Sequence, residues 1–483
     1  MNKQYYPNSI WPVECGTNSR KKIITSNSLN IKKNEKLKSI SRHSGGWATM
    51  FIQRGCNELY LQCGAGLKEG EFPPVKRDHA PNTGWLERVD PITLETIERS
   101  PDLKSGGHLW CGGAVAHSNG DLYMVNGRYM HRLSYSNKLA VVAEQELPDD
   151  HPYNSVLILS DGNLITKTLG HEPKQPSNFC ILNSDNLEII CNLTLNTSAM
   201  GRFSIDDEHN HIYFTTETEV KRLKYEPNAI DNKLLYVDTS WEGMKYRDEN
   251  DGATAAWDTC IHNNQIWMMD SGRPPVWPGF KPPPSLPQKA FRVNMKNPNT
   301  NNDIIDVIGG EIFGWNPGPP LYDSHRNILV HYDTMSATVV ATKWSNLEED
   351  SIGKPRYEII WKKRYRNTVQ MMLYRSGELV LEDSREALGP IGGNSVGKVG
   401  GTGEICVVNI ETGEELGRAP MNDSATMGMF LCPGFHRDFY VGSIPGTITR
   451  VFVVDDDDHN ESKYVKLYIF CACKMNLCFI RSI

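Results

Sequence analysis

The sequence predicts an all-β fold, a single closed β-propeller of about eight four-stranded blades. Three observations support this prediction. A unit of roughly 40–60 residues recurs along the chain, a period typical of repeat folds. Each unit consists of short apolar runs bounded by polar turns, which is the pattern of strands and hairpins. No stretch of helical length keeps a 3.6-residue apolar period, which disfavours alternating strands and helices.

The clearest unit begins at Gly112. GGAVAHS leads through the turn Asn119-Gly120 to DLYMVNG, and YMHRLS and LAVVAEQEL follow. Later units turn at Asp161-Gly162 and Ser376-Gly377, where glycine supplies the positive φ that a tight hairpin needs. Eight such units can be counted, but the last lacks an outer strand of its own, so seven blades are the alternative.

The end of the repeat indicates how the ring closes. After the run ITRVFVV the chain enters the acidic stretch Asp455–Asp458. We expect Lys21–Asn30 to supply the missing outer strand, with the residues before it forming a loose arm. The chain is thereby divided into an N-terminal arm over 1–42, the propeller over 43–454, and an acidic linker with a cysteine-containing tail over 455–483.

Composition limits the function classes. The net charge of −7 gives no electrostatic reason to expect a nucleic-acid partner. No segment is apolar enough to span a membrane, and the first residues lack the apolar core of a signal peptide, so we expect a cytoplasmic monomer. The twelve cysteines are scattered through apolar runs, as reduced and buried thiols are.

The long connections fall on one predicted face. Strands within a blade are named A to D from the axis outward, so that B–C and D–A connections share a rim. The A–B turns are uniformly short. The B–C connections are long in the first, third, fifth and seventh units, which contain LKEGEFPPVKRDHAPNT, GHEPKQPS, SGRPPVWPGFKPPPSLPQ and SREALGPIGGNSVGKVGGTG. Long loops in compact folds often bind ligands, so we expect this rim to be the working face.

Charged residues recur where B strands and D–A connections meet this rim. They would converge on the axis and form a polar site for an anionic or polyhydroxyl ligand. Turn chemistry at strand ends is the competing explanation. The candidate ligand-binding residues are Asp258, Asp270, Arg273, Asp333, Glu382, Asp383 and Arg385, with His108 and Trp110 nearby. The spacing of the histidines does not demand a metal site, and none is predicted.

Two functions fit this arrangement. In the first, the propeller binds a small polar or anionic metabolite in an axial pocket beneath the long loops, and it could also transform that metabolite. In the second, the same face is a non-catalytic scaffold for a protein partner. Polar side chains in an axial cavity favour the first, and an exposed apolar patch on the rim favours the second. No nucleophile elbow or HExxH motif identifies a reaction, and no cofactor follows from the residues.

One unit carries a family resemblance. The segment Glu404–Leu416, EICVVNIETGEEL, resembles the third-to-fourth-strand motif of the quinoprotein alcohol dehydrogenase-like superfamily. The resemblance implies an eight-bladed propeller. Quinone-dependent members hold their cofactor against a disulfide between adjacent cysteines, and this sequence has no Cys-Cys pair. The resemblance therefore concerns the architecture and does not extend to the cofactor.

Overall fold

The computed structural model describes residues 5–456, except for residues 67, 69–74, 171, 173, 230–232, 249–255, 271–285, 297, 299–302, 307–317, 334–336, 346–356, 366–369, 385–402, 422–430 and 444–445. Before the first blade the chain forms a 3-10 helix over Glu14–Gly16 and two strands, β1 (Ile23–Ile24) and β2 (Glu35–His43). The strands that follow form sheets of four in chain order.

The first four blades contain the following strands. Blade 1 has β3 (Trp47–Gly55), β4 (Glu58–Gly64), β5 (Asn82–Val89) and β6 (Thr96–Arg99), with β7 (Leu103–Lys104) also paired to β5. Blade 2 has β8 (Cys111–Ala116), β9 (Leu122–Asn126), β10 (Tyr129–Ser134) and β11 (Ala140–Glu146). Blade 3 has β12 (Tyr153–Ile158), β13 (Leu164–Thr168), β14 (Ser177–Leu182) and β15 (Ile189–Leu195). Blade 4 has β16 (Ser204–Asp206), β17 (His211–Thr215), β18 (Val220–Tyr225) and β19 (Leu235–Val237).

The remaining four blades repeat the pattern. Blade 5 has β20 (Cys260–His262), β21 (Gln265–Met269), β22 (Lys289–Asn294) and β23 (Asp303–Asp306). Blade 6 has β24 (Leu321–Asp323), β25 (Ile328–Asp333), β26 (Thr338–Trp344) and β27 (Tyr357–Arg364). Blade 7 has β28 (Met372–Tyr374), β29 (Glu378–Ser384), β30 (Gly403–Asn409) and β31 (Glu415–Pro420). Blade 8 has β32 (Cys432–Pro433), β33 (Asp438–Gly442) and β34 (Thr447–Asp455), and its fourth strand is β2.

The predicted fold class is confirmed, because the chain is all-β with eight four-stranded blades. The burial of the strands explains why the repeat is visible in the sequence. Every residue of the B strands β9, β13, β21 and β25 is buried, since both faces pack against neighbouring blades. Such strands read as continuous apolar runs. Among the described residues, none lies in a helix with the length and hydropathy needed to span a bilayer.

The closing strand lies at a different place from the predicted one. β2 pairs antiparallel with β34 over nine residue pairs, from Glu35↔Asp455 to His43↔Thr447. The prediction of Lys21–Asn30 is therefore wrong. Within that range Ile23–Ile24 pairs instead with the inner strand β28, in the parallel direction. An outer strand is only half buried, and most of β2 is partly exposed, so its sequence, EKLKSISRH, lacks the apolar run that would mark it.

The N-terminal segment, defined here as residues 5–31, is also not a loose arm. It crosses the ring at the ends of the inner strands, on the face of the A–B turns. Its carbonyl oxygens accept hydrogen bonds from inner-strand amides of five blades, namely Trp11 from Gln53 (2.8 Å), Pro12 from Ala116 (2.9 Å), Asn18 from Ile205 (3.0 Å), Ser19 from Ile261 (2.9 Å) and Lys22 from Leu373 (2.9 Å). A segment bonded to so many inner strands closes the axis from this face.

Candidate functional site

The axis contains a buried chain of alternating charges, which we call the axial charge cluster and define as Glu14, Arg20, Arg202 and Asp258. Arg20 forms an ion pair with Glu14. Arg202 Nε lies 3.1 Å from Glu14 Oε2, and Arg202 Nη1 lies 3.6 Å from Asp258 Oδ2. All four side chains are at most 4% exposed. Because positive and negative side chains alternate, each charge lies beside an opposite one, which offsets much of the free-energy cost of its burial.

The local backbone brings the N-terminal side chains to this place. Cys15 and Arg20 have φ values of 58° and 54°, in the left-handed region that non-glycine residues rarely adopt. Tight turns follow, with Gly16 N donating to Val13 O and Arg20 N donating to Thr17 O, both at 2.9 Å. Such conformations persist where the surrounding structure fixes them. The turns place Glu14 and Arg20 close enough to form their ion pair.

Arg20 is anchored to blades 3 and 4. Its Nε donates to Phe203 O and its Nη2 donates to Ser155 Oγ, each at 2.7 Å. The Ser155 hydroxyl in turn donates to Glu14 Oε1 at 3.0 Å. Ser155 has a φ of 75° and lies where the register between β12 and β13 shifts. This bulge turns a residue of the inner strand toward the charge cluster.

Two buried lysines add positive charge around the cluster. Lys22 Nζ donates to Pro319 O at 2.8 Å, and Lys167 Nζ donates to Ala199 O at 2.6 Å and to Thr168 O at 2.9 Å. Burial lowers the pKa of Lys22, and it lowers the pKa of Lys167 to about 7 against the opposing effect of Asp258. A low-dielectric site with two arginines and two lysines near two carboxylates favours negative charge.

Among the axial charge cluster and Asn154, five buried polar atoms make no hydrogen bond within the described part of the chain. Two of them, Glu14 Oε2 and Arg202 Nε, lie 3.1 Å apart as an ion pair, which leaves three others. They are Arg20 Nη1, Asn154 Nδ2 and Asp258 Oδ2. Trp110 Nε1 donates to Asn154 Oδ1 at 3.3 Å, which fixes the orientation of the amide and leaves its NH₂ group as the spare donor. Buried polar groups are nearly always bonded, so each such atom calls for water, an ion or a ligand.

Two of the carboxylates predicted from the sequence act on the same buried hydroxyl. Asp258 belongs to the axial charge cluster, and its Oδ1 also accepts a hydrogen bond from Arg202 N at 2.7 Å. Burial raises the pKa of Tyr332 well above its usual value, and the charges of Asp258 and Glu382 contribute further to the rise. Both carboxylates therefore act on one buried hydroxyl. Trp110, also predicted, reaches the site through Asn154.

Other predicted residues bind different partners. His108 Nε2 lies 3.3 Å from Asp150 Oδ1, and burial lowers the pKa of this histidine. Asp270 accepts hydrogen bonds from Arg247 Nε at 2.6 Å and from Lys289 N at 2.9 Å. These two residues are held in separate local networks rather than together.

The last predicted carboxylates also stand apart. Asp383 accepts from Arg418 Nη1 at 2.9 Å, so this carboxylate pairs with the outer strand of its own blade. Asp333 is buried at the end of β25, opposite Thr338. Arg273 and Arg385 lie outside the described residues, as do most of the long B–C connections of blades 5 and 7. The assignment of the working face stays a prediction.

The site residues absent from the predicted set are Glu14, Arg20, Asn154 and Arg202, together with the flanking Lys22 and Lys167. The first two belong to a segment interpreted as loose, although its apolar run Trp11–Val13 directly before Glu14 was a signal of burial. Asn154 lies at a D–A connection, where polar residues normally serve turns. Its role depends on the approach of Trp110 from the neighbouring blade, which no local pattern reveals.

Comparison with known proteins agrees with the geometry of the ring. No protein-family model and no curated protein matches the sequence. Among solved structures, the chain is similar to the quinohemoprotein alcohol dehydrogenase of Comamonas testosteroni, with a TM-score of 0.56, 9% identity, and coverage of 91% of this chain and 80% of that chain. It is likewise similar to a europium-containing methanol dehydrogenase (TM-score 0.55, 9% identity, 92% and 98% covered). The chain shares the propeller fold of these proteins.

A third solved structure matches to the same degree. The Saccharomyces cerevisiae protein Sqt1 matches with a TM-score of 0.55 and 8% identity, over 88% of this chain and 100% of that chain. Identities of this size establish the fold and leave the activity open. The predicted resemblance in architecture is confirmed, and function has to be argued from the site.

The described residues do not fit the quinone cofactor that the resemblance to quinone-dependent members would imply. The chain has no two adjacent cysteines, so the disulfide against which quinone-dependent members hold the cofactor cannot form. The nine described cysteines are all free. Glu14 and Arg20, which are 1% and 0% exposed, already fill part of the axis. No quinone chemistry is therefore assigned to this site.

Proposed function

We propose that this propeller binds a small polar ligand at its axis, on the long-loop side of the N-terminal segment. The observation that carries the proposal is the set of three buried atoms without hydrogen bonds within the described chain, Arg20 Nη1, Asn154 Nδ2 and Asp258 Oδ2. The two donors suit an anionic or carbonyl oxygen, and the carboxylate suits a hydroxyl group. A small hydroxy acid combines these features.

The charge of the site supports an anionic ligand. Arg20, Arg202, Lys22 and the partly charged Lys167 outnumber Glu14 and Asp258 among the groups that act on one another there. Hydrogen bonds to charged groups contribute about 1.5–3 kcal/mol each. Two or three such bonds in a water-excluded site supply most of the free energy needed for a micromolar complex, about 8 kcal/mol.

The distribution of apolar surface supports the pocket over the protein scaffold. The exposed large apolar side chains of the described chain lie on outer strands, and none of them lies on the long-loop rim. They are Ile97, Val141, Val142, Ile190, Tyr357 and Ile359. They are also divided among four blades, whereas a protein-binding surface needs a contiguous patch. A cytoplasmic, monomeric protein is part of the same proposal, which the free thiols support.

The proposal is tested by ligand-induced thermal shifts with a panel of small carboxylates, hydroxy acids, inorganic phosphate and neutral sugars. Asn154→Asp keeps an acceptor for Trp110 but replaces the spare donor with a carboxylate. We expect an anionic compound to raise the Tm of the wild-type protein, and Asn154→Asp to weaken its binding at least tenfold by calorimetry, which is about 1.4 kcal/mol.

The matched control is Asn263→Asp, which makes the same change at an exposed turn on the opposite face. This variant is expected to bind like the wild type. The proposal is wrong if no compound of the panel shifts the Tm, or if Asn154→Asp binds as tightly as Asn263→Asp. A protein captured in equimolar amount by the long-loop face, without any small ligand, would support the scaffold instead.

A further inference from the structure

The A–B hairpin of blade 4 brings together three residues of the types that bind transition metals. Asp206, the last residue of β16, lies directly opposite His211, the first residue of β17. His209 lies in the turn between them, with its Nδ1 2.7 Å from Asp206 Oδ2. The two imidazole rings are stacked, with centroids 5.6 Å apart and an interplanar angle of 18°. One ligand atom from each of the three residues lies within 4.8 Å of the others.

We infer that this hairpin is a binding site for a divalent first-row transition ion, Zn²⁺ in the first place, with Asp206, His209 and His211 as ligands. Two imidazoles and one carboxylate form a borderline donor set, which suits Zn²⁺, Co²⁺ or Ni²⁺ better than Mg²⁺ or Ca²⁺. Three protein ligands leave a position for water or a small exogenous ligand. The inference is independent of the axial site, which lies on different residues.

The required rearrangement is small. Ligand atoms in a tetrahedral zinc site lie about 3.3 Å apart, given zinc–ligand distances of about 2.0–2.1 Å. His209 is 52% exposed, so its side chain has room to rotate and exchange its hydrogen bond with Asp206 for the metal. The remaining two ligands are cross-strand partners and need little movement.

The backbone of the hairpin is fixed independently of any metal. Glu208 N donates to Asp206 Oδ1 at 3.2 Å, and Tyr225 N donates to Asn210 O at 3.0 Å. Ile205 N is bonded to the N-terminal segment at Asn18 O. The ligands are therefore carried by a rigid element, which is the condition for a preorganised metal site.

A cleft adjoins the hairpin on the side of Asp206. It has a volume of about 860 Å³ and lies between this hairpin and the corresponding hairpin of blade 5. Asp206, Asp207 and Glu208 line one side of the cleft, and Asn263 and Asn264 line the other. The Asp206 carboxylate thus belongs both to the ligand set and to the cleft wall. An ion at this hairpin is accessible from solvent on the A–B turn face.

Blade 6 provides a natural comparison. Its A–B hairpin pairs Asp323 with Ile328, at the same spacing as Asp206 with His211, and it carries His325 in the turn. The cross-strand ligand is thus replaced by isoleucine. Its turn histidine lies one position earlier than His209, whose place is taken by Arg326, so the hairpin keeps only the aspartate of the three ligands and we expect it not to bind metal. His325→Asn is therefore a matched control for a histidine lost from an A–B turn.

The test is titration of the apo protein with Zn²⁺ by calorimetry and with Co²⁺ by absorption spectroscopy. We expect one saturable site and visible cobalt bands without the near-ultraviolet charge-transfer band of cobalt–thiolate bonds. His209→Gln and His211→Ile each reduce the affinity at least tenfold, and His325→Asn leaves it unchanged. Because His209 is half exposed, we expect His209→Gln to fold normally even if His211→Ile does not. Circular dichroism of both variants checks this.

Three outcomes overturn the inference. They are the absence of saturable binding by the wild-type protein, a cobalt–thiolate band that assigns the ion to cysteines, and equal affinity of His209→Gln and His325→Asn.

Discussion

At the scale of single residues, the axis is unusual because it buries charges that a structural core does not require. Lys167 is 0% exposed, and its Nζ donates to two backbone carbonyls, of Thr168 and Ala199. A neutral amine can make both bonds, which agrees with a pKa lowered to about 7 by burial. In the unfolded chain this lysine keeps its proton up to about pH 10.4. Folding therefore has to remove that proton, or bury the charge, and either lowers the free energy of unfolding.

The stability of the protein is expected to depend on pH through Lys167. Between pH 7 and about pH 10 the unfolded state binds more protons at this lysine than the folded state does, so its contribution to the free energy of unfolding rises with pH. Lys167→Met removes this contribution. The difference in unfolding free energy between wild type and variant, measured by urea denaturation, is expected to grow by about 4 kcal/mol over that range.

The comparison removes the effects of other groups, because the buried tyrosines and cysteines titrate alike in both proteins. The control is Lys36→Met, which changes a partly exposed lysine of β2. A difference between wild type and Lys167→Met that stays constant from pH 7 to pH 10 would show that the lysine is charged in the folded state.

At the scale of elements, the N-terminal segment is held where it leaves the axis by the Glu378 carboxylate and by Arg437, whose guanidinium donates to the carbonyl oxygens of Leu29 and Asn30. Glu378, at the start of β29, accepts hydrogen bonds from the hydroxyl of Ser28 and from the backbone amides of Leu29 and Ile31. The side chain is 5% exposed. Charge-assisted bonds of this kind are about twice as strong as neutral ones. This anchor sets the path from β1 to the closing strand β2.

Replacement of Glu378 by Gln is expected to loosen residues 28–31 without opening the ring. The amide keeps one acceptor, loses the charge and turns a donor toward backbone amides, so we expect a loss of about 1–3 kcal/mol. Hydrogen exchange read by mass spectrometry should become faster over residues 28–31. Glu358→Gln, an exposed change on β27, is the control. Unchanged exchange over residues 28–31 in Glu378→Gln would show that this carboxylate is not the anchor.

The elements also show what the sequence can and cannot predict. Inner and middle strands such as β8 and β9 are buried on both faces, so their apolar runs identified them and the number of blades. The closing strand β2 is recognised only by its partner β34, which lies more than 400 residues away. The apolar pair Ile23–Ile24 was a better strand by local pattern, and it does form one, but beside β28.

The residues of the candidate site likewise divide into those that the sequence predicts and those that it does not. Asp258 was predicted because D–A connections approach the axis, a rule that follows from the fold alone. Arg20 and Asn154 were not, because their positions depend on the path of the N-terminal segment and on a contact between neighbouring blades. Long-range contacts of this kind have no periodic signal.

At the scale of the whole molecule, the ring is closed by strands from both ends of the chain. β2 is the outer strand of a blade whose other three strands are the last in the propeller. Nine residue pairs and the ion pair between Arg437 and Glu35 hold this closure. The Arg437 side chain also lowers the pKa of Glu35 to about 2. The eight-bladed ring is therefore held closed by noncovalent contacts between β2 and β34.

A covalent link across this closure is expected to stabilise the whole propeller. Lys38 and Phe452 are direct partners in the β2–β34 ladder, and both are partly exposed. Opposed residues of antiparallel strands have Cα atoms about 4.5–5.5 Å apart, which suits a disulfide. The double variant Lys38→Cys/Phe452→Cys should form one on oxidation. Because it closes a loop of several hundred residues, the gain reaches the upper end of the usual range, about 4–5 kcal/mol.

The readouts are peptide mapping without reduction and the Tm measured with and without reductant. The comparison variant is Ser26→Cys/Phe452→Cys, which places the first cysteine in the segment Lys21–Asn30 that local pattern favoured as the closing strand. We expect it to remain reduced and its Tm to be insensitive to reductant. If Ser26→Cys/Phe452→Cys cross-links readily while Lys38→Cys/Phe452→Cys does not, the ring closes through the earlier segment, and the path of the N-terminal segment across the axis has to be redrawn.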